Sequence, residues 1–129
     1  NMPMKLFSPE RANALIPVLT PLIEELWAQR RSLAIALLEA DPALRAAHPS
    51  SAVSPQEQGR LFDDRTTAIR QTIERIQTHG CMVKDIDLGL LDFPAVRDGR
   101  PVYLCWKAGE PSVSHWHGTD ENFALRKEL

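Results

Sequence analysis

The sequence predicts an α+β domain: an N-terminal antiparallel helical hairpin followed by a small three- to four-stranded antiparallel β-meander. Three observations carry this. Apolar residues recur at helical spacing through residues 8–80. Beyond Gly80 the period changes to alternation broken by turn dipeptides. The 129 residues are enough for one core and few for two. The chain is therefore read as a single domain, 1–129, with the hairpin at 8–80, a loop near 41–54, and the meander with a C-terminal tail at 81–129.

Ser8-Pro9-Glu10 opens the first helix. Serine accepts from free first-turn amides, and proline fits there because its missing N–H would have no intrahelical acceptor. Leu15, Leu19, Leu22, Leu26, Leu33 and Leu37 follow as one stripe, widened by Ile16, Ile23 and Trp27. Pro17 and Pro21 sit inside it. Each removes a backbone hydrogen bond and collides with the preceding turn, at about 3 kcal/mol in a helix interior. One reading is a long, kinked helix; the other is a short turn, a break and a restart near Pro21. The leucine stripe passes both prolines in phase, which favours the single kinked helix.

Asp41-Pro42 ends that helix, and a connector of about fifteen residues, mobile in its middle, leads to Pro55. Ser54 with Glu57 three residues on is a capping box for the second helix. Its stripe is narrower: Leu61, Phe62, Ile69, Ile73 and Ile76, with Gly80 as the stop. Then Asp98-Gly99 signals a hairpin. Pro101 to Lys107 alternates as a strand, Ala108-Gly109-Glu110-Pro111 turns, and Ser112 to His117 is a further strand. Met82 to Ile86 and Leu90 to Val96 supply one or two more. Asp120 to Lys127 reads as a short helical turn or an ordered tail. Leu104, Trp106 and Val113 are core candidates.

Composition narrows the function classes. Hydrophobic residues make 43% and charged residues 25%, as in ordinary globular proteins. Residues 1–80 carry nine basic and nine acidic side chains, and residues 81–129 carry six and eight. Neither part has the basic excess that drives binding to phosphate backbones, so no nucleic acid is expected. No apolar run reaches the ~18 residues that span a bilayer, so no membrane partner is expected. A basic stretch followed by an apolar run is missing from the N-terminal residues, so no export signal is expected. The two cysteines then read as reduced thiols of a cytoplasmic protein.

Several strings are specific in combination: Lys84-Asp85, Gly89-Leu90 with Asp92-Phe93-Pro94, Leu104-Cys105-Trp106 with Gly109-Glu110, and Trp116-His117. Phe7-Ser8, Ala12-Asn13 and Leu15-Ile16-Pro17 join them near the N-terminus. Together they resemble a bacterial family of uncharacterised proteins, domain of unknown function 2203, over nearly the whole chain. The resemblance implies no activity. In that pattern an aromatic residue usually precedes the tryptophan where this chain has His115, and a glycine usually precedes the phenylalanine where this chain has Asn122.

Rare side chains concentrate in the same block. His115-Trp116-His117 places two imidazoles on one face of a strand, about 6.5–7 Å apart. That is half of a metal site, with Glu110, Asp92 or Asp120 as a third ligand. A hydrogen-bonded or exposed histidine pair is the simpler reading, so no metal or other cofactor is expected. Cys105 needs a base to become a nucleophile. With the turn centred on Gly109-Glu110, Leu104 faces His115, Val102 faces His117, and Cys105 faces Ser114, away from both histidines. That register makes Cys105 a buried structural thiol. Asp85, Asp87, Asp92 and Glu110 are carboxylates for acid–base work or a hard cation, although Asp92 serves equally well in a turn. Lys84-Asp85 reads as a surface ion pair of little worth.

Two functional readings remain. In the first, the chain is a non-enzymatic binding or interaction module. Excess apolar surface on the helices then pairs it with a second copy as a homodimer, or with another protein. In the second, it is a small-ligand-binding or metal-dependent enzyme with a site on the C-terminal sheet, among Lys84, Asp85, Asp92, Glu110, His117 and Arg126. The second reading requires those polar side chains to converge. The first expects them dispersed or structurally hydrogen-bonded.

Overall fold

The computed structural model describes residues 5–47 and 53–129. The first helix, α1 (Pro9–Glu39), is one uninterrupted 31-residue element with Pro17 and Pro21 inside it. Ser8 caps it, its hydroxyl accepting from the Arg11 amide at 3.2 Å. Both prolines are exposed, so their rings sit on the solvent side of the helix and leave its buried stripe intact. The Thr20 hydroxyl donates to Ile16 O beside the second gap. Leu19, Leu22, Ile23 and Leu26 of the expected stripe are buried, whereas Leu37 is half exposed. The stripe outruns the surface it has to cover.

The connector holds a short helix that the sequence reading did not contain, α2 (Pro42–Ala47). Asp41 caps it by accepting from the Ala43 amide. The segment expected to be mobile falls on residues 48–52, outside the described residues. Next comes α3 (Pro55–Gln77), capped by the Ser54 hydroxyl, which accepts from the Glu57 amide. The expected capping box is half made: the Glu57 carboxylate pairs with Arg60 at 2.9 Å. Phe62, placed in the α3 stripe, is exposed, and Thr72 is buried instead.

Five strands follow, against the three or four expected: β1 (Met82–Asp85), β2 (Leu90–Arg97), β3 (Arg100–Lys107), β4 (His115–Gly118) and β5 (Lys127–Glu128). They form one antiparallel sheet in the order β1-β2-β3-β4-β5. The extra strand is the C-terminal tail, which returns along β4 after a 3-10 turn at Phe123–Leu125. Asp98-Gly99 makes the tight β2–β3 turn with φ of 53° and 75°, the positive pair that a two-residue type I′ hairpin requires.

Register divides the sheet into two faces. Leu91 with Trp106, Phe93 with Leu104 and Ala95 with Val102 pair on one. This face packs on Leu19, Ile23 and Leu26 of α1 and on Ile69 and Ile76 of α3, forming the core. Leu90 with Lys107, Asp92 with Cys105 and Pro94 with Tyr103 pair on the second face. Trp27 Nε1 donates to Ile86 O at 2.8 Å and Phe7 N to Pro94 O at 2.8 Å, tying the helical layer to the sheet. At Gly89 (φ 62°) a Cβ would come within 2.5 Å of Ala108 Cβ, so this loop closes only without a side chain.

Candidate functional site

The β3–β4 register differs from the expected one by a residue. Tyr103 pairs with His117, Leu104 with Trp116 and Cys105 with His115. The connecting segment is longer than a tight hairpin. Glu110 ties it, accepting from Trp106 Nε1 through its carbonyl at 3.0 Å and from the Lys107 amide through its carboxylate at 2.6 Å. The Val113 amide donates to Asn13 Oδ1 on α1 at 2.6 Å. That bond joins the β3–β4 segment to the helix, and the strand starts only at His115. Because side chains alternate, a one-residue slip turns every β4 side chain over. Cys105 therefore shares its face with both histidines, opposite to the expectation.

On this second face lies a cavity of ≈ 460 Å³. Lys84, Asp85, Asp92 and His117, four of the six sequence candidates, line it together. A break in the β1–β2 register between Val83 and Asp85 brings Lys84 and Asp85 both toward it. Tyr103 and the C-terminal segment, chiefly Glu121 and Phe123, complete the wall. A second, larger cavity of ≈ 690 Å³ between Arg97 and Lys127 contains none of the six.

The floor is a buried ion pair. Asp92 is 2% exposed and His117 4%. His117 Nε2 lies 3.0 Å from each carboxylate oxygen of Asp92. Its Nδ1 lies 2.8 Å from Gly118 O. A carbonyl only accepts, so Nδ1 carries a proton. A second proton lies between Nε2 and the carboxylate. Both ring nitrogens are thereby engaged. A catalytic histidine keeps one nitrogen turned to the reacting group, and this one does not.

The other two candidates form a separate unit at the flank. Arg126 donates in a fork to Glu110, Nη1 to Oε1 at 3.0 Å and Nη2 to Oε2 at 2.7 Å. Burial alone would raise the Glu110 carboxyl, but the Arg126 guanidinium and the Lys107 amide outweigh it and hold the group below its usual range. Arg126 also stacks on Phe123, 4.2 Å from the ring centroid, which fixes the aromatic wall. His115 sits 4.0 Å from Glu110 and bonds Ser114 Oγ through Nδ1. It does not join His117 as a ligand pair. Asp85 accepts from the Leu88 amide; its partner is backbone, not Lys84.

Cys105 is fully buried beside Asp92. Burial, then the Asp92 charge, pushes its thiol up to about 11 against the lowering effect of Arg126. Burial pushes Cys81 up to about 12. Neither is poised as a nucleophile. Sγ of Cys105, a ligand oxygen of Asp92 and a ring nitrogen of His117 nevertheless lie within 4.8 Å of one another. Sequence reasoning dismissed Cys105 through the wrong register and missed Tyr103, Glu121 and Phe123. Tyr103 was within reach, since alternation places it on the Cys105 face. Nothing local indicates that the tail folds back.

Fold and site together define a small α+β protein with a helical hairpin on one face of a meander and a polar-floored cavity on the other. Its sequence matches the model for the family described as Uncharacterized conserved protein (DUF2203) over residues 5–129, and the chain belongs to that family. No curated protein and no solved structure shows a significant match. Among the described residues, no helix is long and apolar enough to cross a membrane.

Proposed function

We propose that the chain is a small-ligand-binding protein whose site is the cavity on the second face of the sheet. One observation carries this reading: Lys84, Asp85, Asp92 and His117 come from three strands and line one cavity with a buried ion pair at its floor. Ligand sites combine apolar walls with a few placed polar groups, and Leu88, Leu90, Tyr103 and Phe123 supply the apolar part. Lys84 Nζ lies 5.7 Å from the Tyr103 ring centroid, and no ion pair holds it among the described residues. Asp85 and Glu121 already accept from backbone amides. The ligand class that fits is a small aromatic or apolar body carrying an anionic group for Lys84. Proton transfer through His117 and attack by Cys105 are both disfavoured by the geometry, which argues for binding over acid–base or thiol catalysis.

The test is a chemical-shift titration in the presence of EDTA, with benzoate and phenylacetate as probes and benzylamine as the charge-reversed control. The carboxylates are expected to move the amides of Lys84, Tyr103 and Phe123, and Lys84→Ala to weaken them selectively. A cavity left unmoved by all three probes refutes the proposal.

We also retain the homodimer through the helices as a proposal. Ile35, Leu37 and Leu38, at the C-terminal end of α1, are 50%, 50% and 63% exposed, an apolar edge that a second copy would cover. A monomer by light scattering at high protein concentration overturns it.

A further inference from the structure

We infer that Asp92, Cys105 and His117 form a binding site for one divalent transition-metal ion, of zinc type, at the floor of the cavity. The inference adds an ion to the proposed ligand pocket and rests on that reading only for what occupies the remaining coordination position.

The three donors differ in kind: one carboxylate oxygen, one thiolate sulfur and one imidazole nitrogen. A mixed N, O, S set of this sort suits a borderline cation and does not suit calcium or magnesium, which take oxygen. All three side chains are buried. They come from three adjacent strands, β2, β3 and β4, held in fixed register. The sheet therefore sets the donor positions before any ion arrives.

His117 is oriented as a ligand. Its Nδ1 donates to Gly118 O, the outer bond that metal-binding histidines make with the nitrogen that does not ligate. Nε2 then faces the carboxylate symmetrically, 3.0 Å from both oxygens. With metal–nitrogen and metal–oxygen bonds of about 2.0–2.1 Å, donors about 3.3 Å apart subtend a tetrahedral angle. The pair needs to open by only about 0.3 Å on that geometry. The sulfur, already within 4.8 Å, must approach to about 3.6 Å for a metal–sulfur bond near 2.3 Å.

Charge balance selects a dication. Without metal, the Asp92–His117 pair holds one proton between its partners, and Cys105 holds another. The unit is neutral. A dication entering with loss of both protons to solvent leaves carboxylate, thiolate and neutral imidazole around a +2 ion, again neutral. The buried site thus exchanges two protons for one ion without acquiring net charge, and burying net charge is the costly alternative. The flanking Arg126–Glu110 fork is itself neutral, and Lys84 stands in the exposed part of the cavity.

Three protein donors leave one position of a tetrahedron. Asp92 and His117 line the cavity and Cys105 does not, so that position opens toward the cavity. Closed structural zinc sites fill all four positions with protein donors, whereas three protein donors leave the fourth to water or a bound small molecule. The anionic group of a pocket ligand, or water, is the natural occupant.

The experiment uses the full chain without an affinity tag, stripped with chelator and titrated with Co²⁺ and Zn²⁺. The expected result is one ion per chain by elemental analysis and a thiolate-to-cobalt charge-transfer absorption. Cys105→Ser loses that absorption while Cys81→Ser keeps it. Asp92→Asn weakens affinity by about tenfold or more, in the range by which even outer-shell changes act. Far-UV circular dichroism verifies that each variant folds, and the wild-type titration stands independently of the variants. No stoichiometric ion in the wild type overturns the inference, as does a charge-transfer band that survives Cys105→Ser. Carboxylate probe binding is read under EDTA, so failure of the metal site and failure of the pocket are separate results.

Discussion

Removing one partner of the Asp92–His117 pair should cost far more than replacing both. Asp92→Ala leaves Nε2 of a 4%-exposed imidazole without an acceptor. A buried charge left unpaired costs about 3–5 kcal/mol. If the ring sheds its proton instead, the orphaned nitrogen costs about 1–3 kcal/mol. The expected loss is therefore about 2–4 kcal/mol. Unfolding entropy of about 2.1 cal/mol/K per residue gives about 0.27 kcal/mol/K for this chain, so a loss of about 3 kcal/mol lowers Tm by about 11 °C. Asp92→Val combined with His117→Leu removes both polar groups and keeps approximate volume. Such paired replacements are often neutral or better, and this one is expected within about 1 kcal/mol of wild type. Urea denaturation of metal-free protein, with unchanged slopes, measures the single variants Asp92→Ala and His117→Leu and the double variant. Single variants within about 1 kcal/mol of wild type would refute the reasoning. So would a double variant that costs the sum of the two singles.

Three further outcomes follow from the geometry. Gly89→Ala should destabilise by about 2 kcal/mol or more from its left-handed backbone and the 2.5 Å approach to Ala108, whereas Gly59→Ala in α3, with nothing within 4 Å, should stabilise by up to about 1 kcal/mol; thermal melts compare them. Both cysteines should resist a thiol reagent at pH 8 in the folded protein, with Cys81 raised to about 12 and Cys105 to about 11, and both should react at once in denaturant. Glu110 is held below its usual range in the folded state, so its contribution is full above the unfolded value of about 4.3 and is lost as pH falls through the lower folded value. Arg126→Leu should flatten that acid-side loss in stability measured from pH 6 to 2.

Local chemistry made much of the fold legible. Ser8-Pro9 and Ser54-Pro55 cap α1 and α3 as their residue types require. Asp98-Gly99 adopts the two positive φ values that place β2 against β3. Leu104, Trp106 and Val113, read as core, are buried. These features depend on a residue and its near neighbours, through period, capping and turn sterics. The candidate residues were legible as types as well, because a lysine, three carboxylates, a histidine and an arginine had no packing role to explain them.

Which of them meet was decided by tertiary structure. The amide of Val113 bonds the side chain of Asn13, a hundred positions away, and β4 pairs with β3 one residue away from the locally expected register. A period-2 element turns over completely on such a slip, so a local reading carried Cys105 to the wrong face. Asp92 and His117 are twenty-five positions apart, and Glu110 and Arg126 sixteen. The first pair meets across β3 through strand register, and the second forms because the tail folds back along β4 into β5, a two-residue strand too short to announce itself by alternation. Sequence by itself determined the two long helices with their caps, the central strands with the Asp98-Gly99 turn between them, and the identity of the polar residues without a packing role. Tertiary structure alone decided that four of them share a cavity and that a thiol lies beside their buried pair. The reason is physical: side-chain period and turn chemistry act over a few residues, whereas register and closure depend on contacts between distant parts of the chain.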